Sequence, residues 1–313
     1  MTSDSSRAPS PVLLAGPTAI GKSAVALALA GRLGGEIVSV DSMQVYHGLD
    51  IGTAKPSAAE RARVRHHLVD VAELHQQFSA AEFVRLAQQA VADITARGKV
   101  PVLCGGTGLY FKAWLDGLGE APAADPQLRA GLESTPLAEL LRELESGDLD
   151  AFARIDRHNP RRVVRAVEVL RLSGRPGSVQ RAAWIRGASG PATVHCLSRE
   201  PGDLRSRINA RVEAMFERGL VAETQSLLAR GLEQNRTAMQ ALGYRQVVEH
   251  LRGARSLDET VALVKARTWQ FARRQMSWFR NQLAVEWVSV LPGKEPEAVA
   301  ARIFGSLHAA QGR

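Results

Sequence analysis

One octapeptide limits the fold more than any other stretch. Gly16-Pro17-Thr18-Ala19-Ile20-Gly21-Lys22-Ser23 matches G-x-x-x-x-G-K-[ST], with the apolar run VLLA before it and a helix-periodic segment from Lys22 to Leu33 after it. Its glycines let backbone N–H groups turn onto phosphate oxygens, and the helix N-terminus adds a positive dipole. Lys22 neutralises charge, and the Ser23 hydroxyl is the candidate Mg²⁺ ligand. Such a strand, loop and helix belong at the C-terminal edge of a parallel sheet, where ligands of open α/β sheets bind. The expected ligand is a di- or triphosphate, and the motif does not specify which. A glycine turn without a ligand is the alternative; the flanking strand and helix argue against it.

The pattern continues with EIVSVD, a helical segment around Ala80 to Arg97, and VPVLCGG. Strand, helix, strand, helix, strand predicts a parallel sheet with right-handed crossovers. From about residue 117 the strand signals stop, and helical patterns are punctuated by Pro122, Pro126, Pro136, Pro160 and Pro176. A β-type run returns at TVHCLS, Thr193 to Ser198, before long helical patterns and one short apolar run near Val285 to Leu291. The expected fold class is α/β, a P-loop NTPase-like parallel sheet core with a mostly helical insertion domain. Residues 1–10 would be a flexible tail, residues 11–116 and 193–313 the core with its C-terminal helices, and residues 117–192 the insertion.

Two cysteines, Cys104 and Cys196, in 313 residues cannot build a disulfide scaffold or a cysteine-rich zinc site. The apolar stretch after the polar N-terminus is broken by the phosphate loop, which spoils both a signal-peptide core and a membrane span. A cytoplasmic enzyme with no membrane association is therefore expected. The net charge of +8 is regional: residues 151–280 hold 24 Lys and Arg against 11 Asp and Glu, whereas the rest of the chain holds 16 against 21. A long polyanion is the partner that would use such a region.

Asp41 closes the second strand run and Thr107 lies in Gly105-Gly106-Thr107-Gly108 after the third, both at the edge of the phosphate loop. Asp41 would serve as general base, Mg²⁺ ligand or turn cap. Thr107 would hold a phosphate oxygen or cap the next helix. In Asn159-Pro160-Arg161-Arg162-Val163-Val164-Arg165, arginines follow an N-cap and a first-turn proline, at the helix end where the dipole disfavours cations. Anion binding explains them, and pairing with Glu168 is the alternative. Near Asp203, Leu204, Ile208, Val212 and Met215 form a buried stripe, with Arg207, Arg211 and Arg218 on another face that would reach a pyrophosphate or lie in solvent. A last basic helix, Thr260 to Asn281, aligns Arg267, Gln270, Arg274, Ser277 and Asn281, with Trp269, Phe271, Trp278 and Phe279 interleaved. Arginines for phosphates and aromatics for stacking suit RNA loops, although aromatics at this spacing are more often core.

GPTAIGKS, DSMQVYHGLDIGTAKP, GGTGLY, NPRRVVRAVEVL, LGYRQ and RRQMSWFR, in this order over about residues 11–290, closely resemble the tRNA dimethylallyltransferase (tRNA isopentenyltransferase) family. Ile20 stands where serine is common in that family, residues 174–180 follow its pattern less closely, and the zinc-finger extension of eukaryotic relatives has no counterpart. The resemblance implies transfer of a dimethylallyl group from dimethylallyl pyrophosphate to N6 of the adenine 3′ of a tRNA anticodon. It makes Asp41, Thr107 and Arg211 the catalytic set, with Asp41 taking the N6 proton, and Gly16 to Ser23, Thr107, Arg211 and Mg²⁺ on Ser23 holding pyrophosphate. It assigns tRNA contacts to Asp41, Ser42, Met43 and Gln44; Arg161, Arg162, Val163, Val164 and Arg165; Gln240, Ala241, Leu242, Gly243, Tyr244 and Arg245; and Arg273, Arg274, Gln275, Met276, Ser277, Trp278, Phe279 and Arg280. The insertion would clamp the anticodon arm of a monomeric enzyme.

A P-loop small-molecule kinase would also pair the loop with an Asp at the next strand end, but has little use for the basic region. An RNA-binding NTPase would need a water-activating residue beside a triphosphate site, and no motif supplies one. The loop also carries the expectation of nucleotide or ATP binding, although the implied transfer consumes no ATP.

Overall fold

The apolar runs pair in one direction throughout. In the computed structural model, which describes residues 9–119, 121–177 and 193–311, six parallel strands form one sheet in the order β3-β2-β4-β1-β5-β6. They are β1 (Val12–Ala15), β2 (Glu36–Val40), β3 (His66–His67), β4 (Pro101–Gly105), β5 (Val194–Ser198) and β6 (Val285–Ser289). Strands β1, β2 and β4 are buried along their whole length; β1 and β4 read as apolar runs, whereas Glu36 and Ser39 interrupt the run of β2. β6 is an edge strand with exposed residues, and β3 has only two histidines and gave no apolar signal.

The helices are α1 (Lys22–Leu33), α2 (Ala58–Arg63), α3 (Ala80–Ala96), α4 (Gly108–Asp116), α5 (Pro126–Ser134), α6 (Leu137–Gly147), α7 (Leu149–Arg154), α8 (Pro160–Ser173), α9 (Pro201–Glu217), α10 (Leu220–Ala229), α11 (Tyr244–Leu251), α12 (Leu257–Gln282) and α13 (Pro296–Gln311). β1 lies between β4 and β5, so the chain builds one side of the sheet before crossing to the other. That order makes the end of β1 the crevice of the sheet, and the phosphate loop leaves from it. Leu14, Ile20, Leu29, Leu197, Ile208 and Ala272 join one core cluster that ties β1, α1, β5, α9 and α12 together.

Two compact units are present: residues 1–112 with 191–313, and residues 113–190. The second is helical among its described residues, with Leu132, Leu140, Leu144, Val163, Val164 and Val167 as its core. Asn159 caps α8 by accepting the Arg162 N–H (3.3 Å), and Pro160 occupies its first turn. Glu168 is fully buried in this unit and accepts from Arg129, Arg165 and the Asp125 N–H. Burial alone would raise its pKa, but the two guanidinium partners hold it below the ordinary carboxylate value. Residues 1–8 of the expected tail lie outside the described residues, as do residues 178–192, which include the end of the divergent 174–180 stretch.

Candidate active site

The phosphate loop turns on two residues with positive φ, Ala19 at 62° and Gly21 at 100°. Gly21 is the N-cap of α1 and offers no side-chain cap, so the first-turn N–H groups remain an anion-binding end. Carbonyl groups of the loop are taken by arginine: Arg199 Nε donates to the Ile20 oxygen (2.8 Å) and Arg207 Nε to the Ala19 oxygen (3.1 Å). Arg199 is itself fixed by Asp203 at 2.7 Å. Lys22 Nζ reaches the Pro17 oxygen (3.3 Å). Burial lowers the Lys22 pKa, and Arg211 lowers it further, while Asp41 opposes the shift. Burial also lowers Arg211, again opposed by Asp41. Cations held so close together, with one nearby carboxylate, are arranged for an added polyanion.

At the end of β2, Asp41 Oδ1 accepts the N–H groups of Met43 (2.9 Å) and Gln44 (3.2 Å), which folds the chain sharply over the sheet edge. Among the described residues, Oδ2 has no hydrogen-bond partner. Thr107 joins the neighbouring strand end: its Oγ1 accepts the Ser42 N–H (3.0 Å) and its own N–H donates to the Val40 oxygen (3.2 Å). Thr107 therefore braces the Asp41 turn. The chain can pass there because residue 106 is glycine; a Cβ would lie 2.6 Å from Gln275 Nε2.

The loop after Asp41 returns under a second set of bonds. Gln44 Nε2 donates to the Thr53 and Ala54 oxygens (3.2 Å each), and its Oε1 accepts from Ser39 (2.9 Å). Glu223 on α10 accepts the Ile51 N–H at 3.0 and 2.9 Å, and the buried Tyr244 hydroxyl donates to Glu223 (2.6 Å) while accepting from Gly52 (3.1 Å). Burial and Glu223 push the Tyr244 pKa far up, so it remains a neutral donor.

These elements enclose a cavity of ≈ 350 Å³. Thr18, Lys22, Ser23, Asp41, Thr107 and Arg211 line its polar side, and Val212, Met215, Leu242, Val264 and Phe271 its apolar side. Ser42, Met43, Gln44, Gln240, Ala241, Arg274 and Gln275 also reach it. Part of each expected set thus lines one cavity: Thr18, Lys22 and Ser23 for phosphate, Asp41 for the proton, and Ser42 to Gln44, Gln240 to Leu242, Arg274 and Gln275 for RNA.

Several expected RNA contacts have other partners. Val163 and Val164 belong to the core of the helical unit, and Arg165 pairs with Glu168; Arg161 and Arg162 are exposed at the surface of that unit. Tyr244 and Phe279 are fully buried. Trp278 packs against Gly108, where a Cβ would approach its ring to 2.1 Å. Gly243 is the N-cap of α11, and Arg245 pairs with Glu249 at 3.1 Å. Arg280 lies 6.0 Å over the Trp287 ring, Ser277 accepts from Asn281 (3.3 Å), and Met276 is half-buried. Arg273 and Arg274 are exposed on α12, Arg274 lying 5.9 Å from the Phe271 ring. Phe271 is itself exposed at the cavity rather than core, and Arg218 is exposed outside the lining. Ile20 is fully buried, so its side chain packs in the core. Arg199 and Glu223 carried no motif signal; both act on backbone atoms far away in sequence.

The IPP transferase family profile matches residues 44–282. The chain is also 45% identical to a tRNA dimethylallyltransferase of Anaeromyxobacter dehalogenans over 296 residues, covering 93% of this chain and 98% of that one. This chain belongs to the IPP transferase family. A tRNA dimethylallyltransferase of Halorhodospira halophila is 49% identical across 87% of this IPP transferase chain and 90% of its own. Among solved structures, a tRNA isopentenylpyrophosphate transferase of Bacillus halodurans superposes with a TM-score of 0.71 at 35% identity, covering 97% and 98% of the two chains. A eukaryotic dimethylallyltransferase acting on tRNA, 24% identical, shares the fold with a TM-score of 0.84 over 97% of this chain and 80% of that one. The kinase alternative finds no support in these likenesses. Among the described residues of this family member, no helix is long and apolar enough to cross a membrane, and no cluster of three His, Cys, Asp or Glu residues is placed to hold a metal.

Proposed function

We propose that this IPP transferase moves a dimethylallyl group from dimethylallyl pyrophosphate to N6 of the adenine 3′ of a tRNA anticodon. The observation that carries this reading is the joint opening of Asp41 and the uncapped phosphate loop onto one cavity with an apolar wall. The names of the relatives, tRNA dimethylallyltransferase, agree with it.

In this reading Lys22, Arg211 and the first-turn amides of α1 bind the pyrophosphate, and Val212, Met215, Val264 and Phe271 shelter the five-carbon chain. The N6 lone pair forms the new bond to C1 while the C1–O bond breaks and its electron pair leaves with pyrophosphate. The N6 proton passes to Asp41 Oδ2, since Oδ1 is committed to the turn. Thr107 holds that turn in register, and the apolar wall keeps water from the allylic carbon as cation character develops. The residues fit Mg²⁺ in the way a hard cation is usually held beside phosphates, by a hydroxyl, phosphate oxygens and water: Ser23 lines the cavity and would supply the hydroxyl. The ion, when bound, stabilises negative charge on the leaving group.

Arg273 and Arg274 on α12 supply phosphate contacts for the tRNA, and the exposed Arg161 and Arg162 on α8 are the helical unit's own candidates for phosphate contact. A cytoplasmic monomer is the simplest working form. Purified protein is incubated with Mg²⁺, labelled dimethylallyl pyrophosphate and unmodified tRNA carrying adenine after the anticodon, and the nucleosides are then resolved. Label on N6 of that adenine is expected; phosphate release from ATP with no label would move the protein to the kinase or NTPase class.

A further inference from the structure

Gln275 lies on the basic helix α12, yet its side chain is turned inward and is 8% exposed. Its Oε1 accepts the Thr18 N–H at 2.9 Å, and its Nε2 donates to the Gly106 oxygen at 2.8 Å. One amide therefore fastens the loop after β1 to the turn after β4. Both bonds are needed to fix it: the first sets how far the phosphate loop lifts from the sheet, and the second sets the distance between the two glycine-rich edges. Gly106 is crowded by this arrangement, since a Cβ there would also lie 3.3 Å from the Gly16 oxygen and 3.6 Å from Lys22 Nζ.

The side-chain chemistry is narrow. An amide of this length presents an acceptor and a donor in one plane; a carboxylate loses the donor and a leucine loses both. The Thr18 N–H is also taken out of use for a ligand, whereas the amides at the start of α1 carry no side-chain cap.

We infer that Gln275 is a positioning residue for the leaving-group site, holding the phosphate loop in its pyrophosphate-binding geometry, and that it is not an RNA contact. The inference rests on the transferase reading above for its substrate. Its neighbour Arg274 serves the other partner from the same helix, so α12 carries RNA on its open face and braces the phosphate loop with its buried one.

The test uses the full-length chain with Gln275→Leu and, as a second variant that keeps the acceptor and the size, Gln275→Glu. Inorganic pyrophosphate with Mg²⁺ is titrated by calorimetry, dimethylallyl transfer gives KM and kcat, and tRNA affinity is measured across salt concentrations. Gln275→Leu is expected to weaken pyrophosphate and raise the KM for dimethylallyl pyrophosphate by about tenfold, the loss of one to two hydrogen bonds, with tRNA affinity and its salt slope within twofold of the parent. Gln275→Glu is expected to be as weak near neutral pH. It should recover relative to the parent as pH falls, because a protonated carboxyl donates to Gly106 again. Unchanged pyrophosphate affinity with weakened tRNA binding would make Gln275 an RNA contact and overturn the inference. So would equal weakening of both ligands with no recovery at low pH in the Glu variant, the variant that decides if Gln275→Leu does not fold. If the parent protein fails to prenylate tRNA while both variants still lose pyrophosphate affinity, the transferase reading fails and the positioning role stands.

Discussion

Asp41 is the residue at which chemistry and architecture are most easily confused, and two substitutions separate them. Asp41→Asn keeps an oxygen where Oδ1 accepts the Met43 and Gln44 N–H groups at 2.9 and 3.2 Å, but cannot take a proton at Oδ2. Asp41→Ala removes both functions. Leaving the Met43 and Gln44 N–H groups without their acceptor costs about 1–3 kcal/mol, so Asp41→Ala should be less stable by roughly that amount and Asp41→Asn by little. Loss of a general base slows the chemical step by about 10² to 10⁴, so both variants should share a collapse of that order. Single-turnover transfer of labelled dimethylallyl to saturating tRNA reads the chemistry, urea unfolding reads the turn, and tRNA affinity should change little in either. Near-parental turnover in Asp41→Asn would refute the proton-acceptor assignment and leave Asp41 as a turn residue alone. A collapse in Asp41→Ala only, together with weakened tRNA binding, would mean that the turn's shape and not its carboxylate matters.

Arg274, exposed at the cavity, should contribute one phosphate contact: Arg274→Ala is expected to weaken tRNA binding and to reduce the slope of log affinity against log salt by about one, and an unchanged slope would remove that role. Burial would raise the pKa of Glu36, but hydrogen bonds from His67, Lys99 and Arg97 hold it at about 2. The folded value lies below the unfolded one, so this stabilisation is present above about pH 4.5 and is lost as pH falls toward 2. Glu36→Gln should cost on the order of 3 kcal/mol at pH 7, and the difference from the parent, followed by urea unfolding, should shrink through that window. Tyr244→Phe leaves the Gly52 N–H with only Glu223 Oε1 at 3.4 Å, so a loss of about 1–3 kcal/mol is expected. Faster amide exchange at Ile51 and Gly52 would accompany it, and parental protection there would show the loop to be held otherwise.

Local spacing made much of the molecule legible. The phosphate loop, the buried strands and the capped α8 each depend on residues within a few positions of one another, so motif and periodicity carry them. Asp41 and Thr107 were recognisable as strand-end residues for the same reason. Their joining was not, because the Ser42 to Thr107 bond spans 65 positions. The aromatic residues of α12 show the limit from the other side: periodicity placed Trp269, Phe271, Trp278 and Phe279 on one helix, but which of them enters the core depends on what crosses the helix. Phe279 is enclosed, Trp278 is seated on Gly108, and Phe271 opens to the cavity.

The short β3 strand, the strand order and the bracing of the site follow the same division. A residue's neighbours in sequence set its strand or helix preference and its chance of turning a backbone amide toward an anion. They do not set which distant atom will satisfy a buried polar group. Arg199 finds a carbonyl 179 positions away, Glu223 an amide 172 away, and Gln275 an amide 257 away. Those pairings exist because burial leaves each donor and acceptor without water, and the packed sheet and helices put only a few partners within reach.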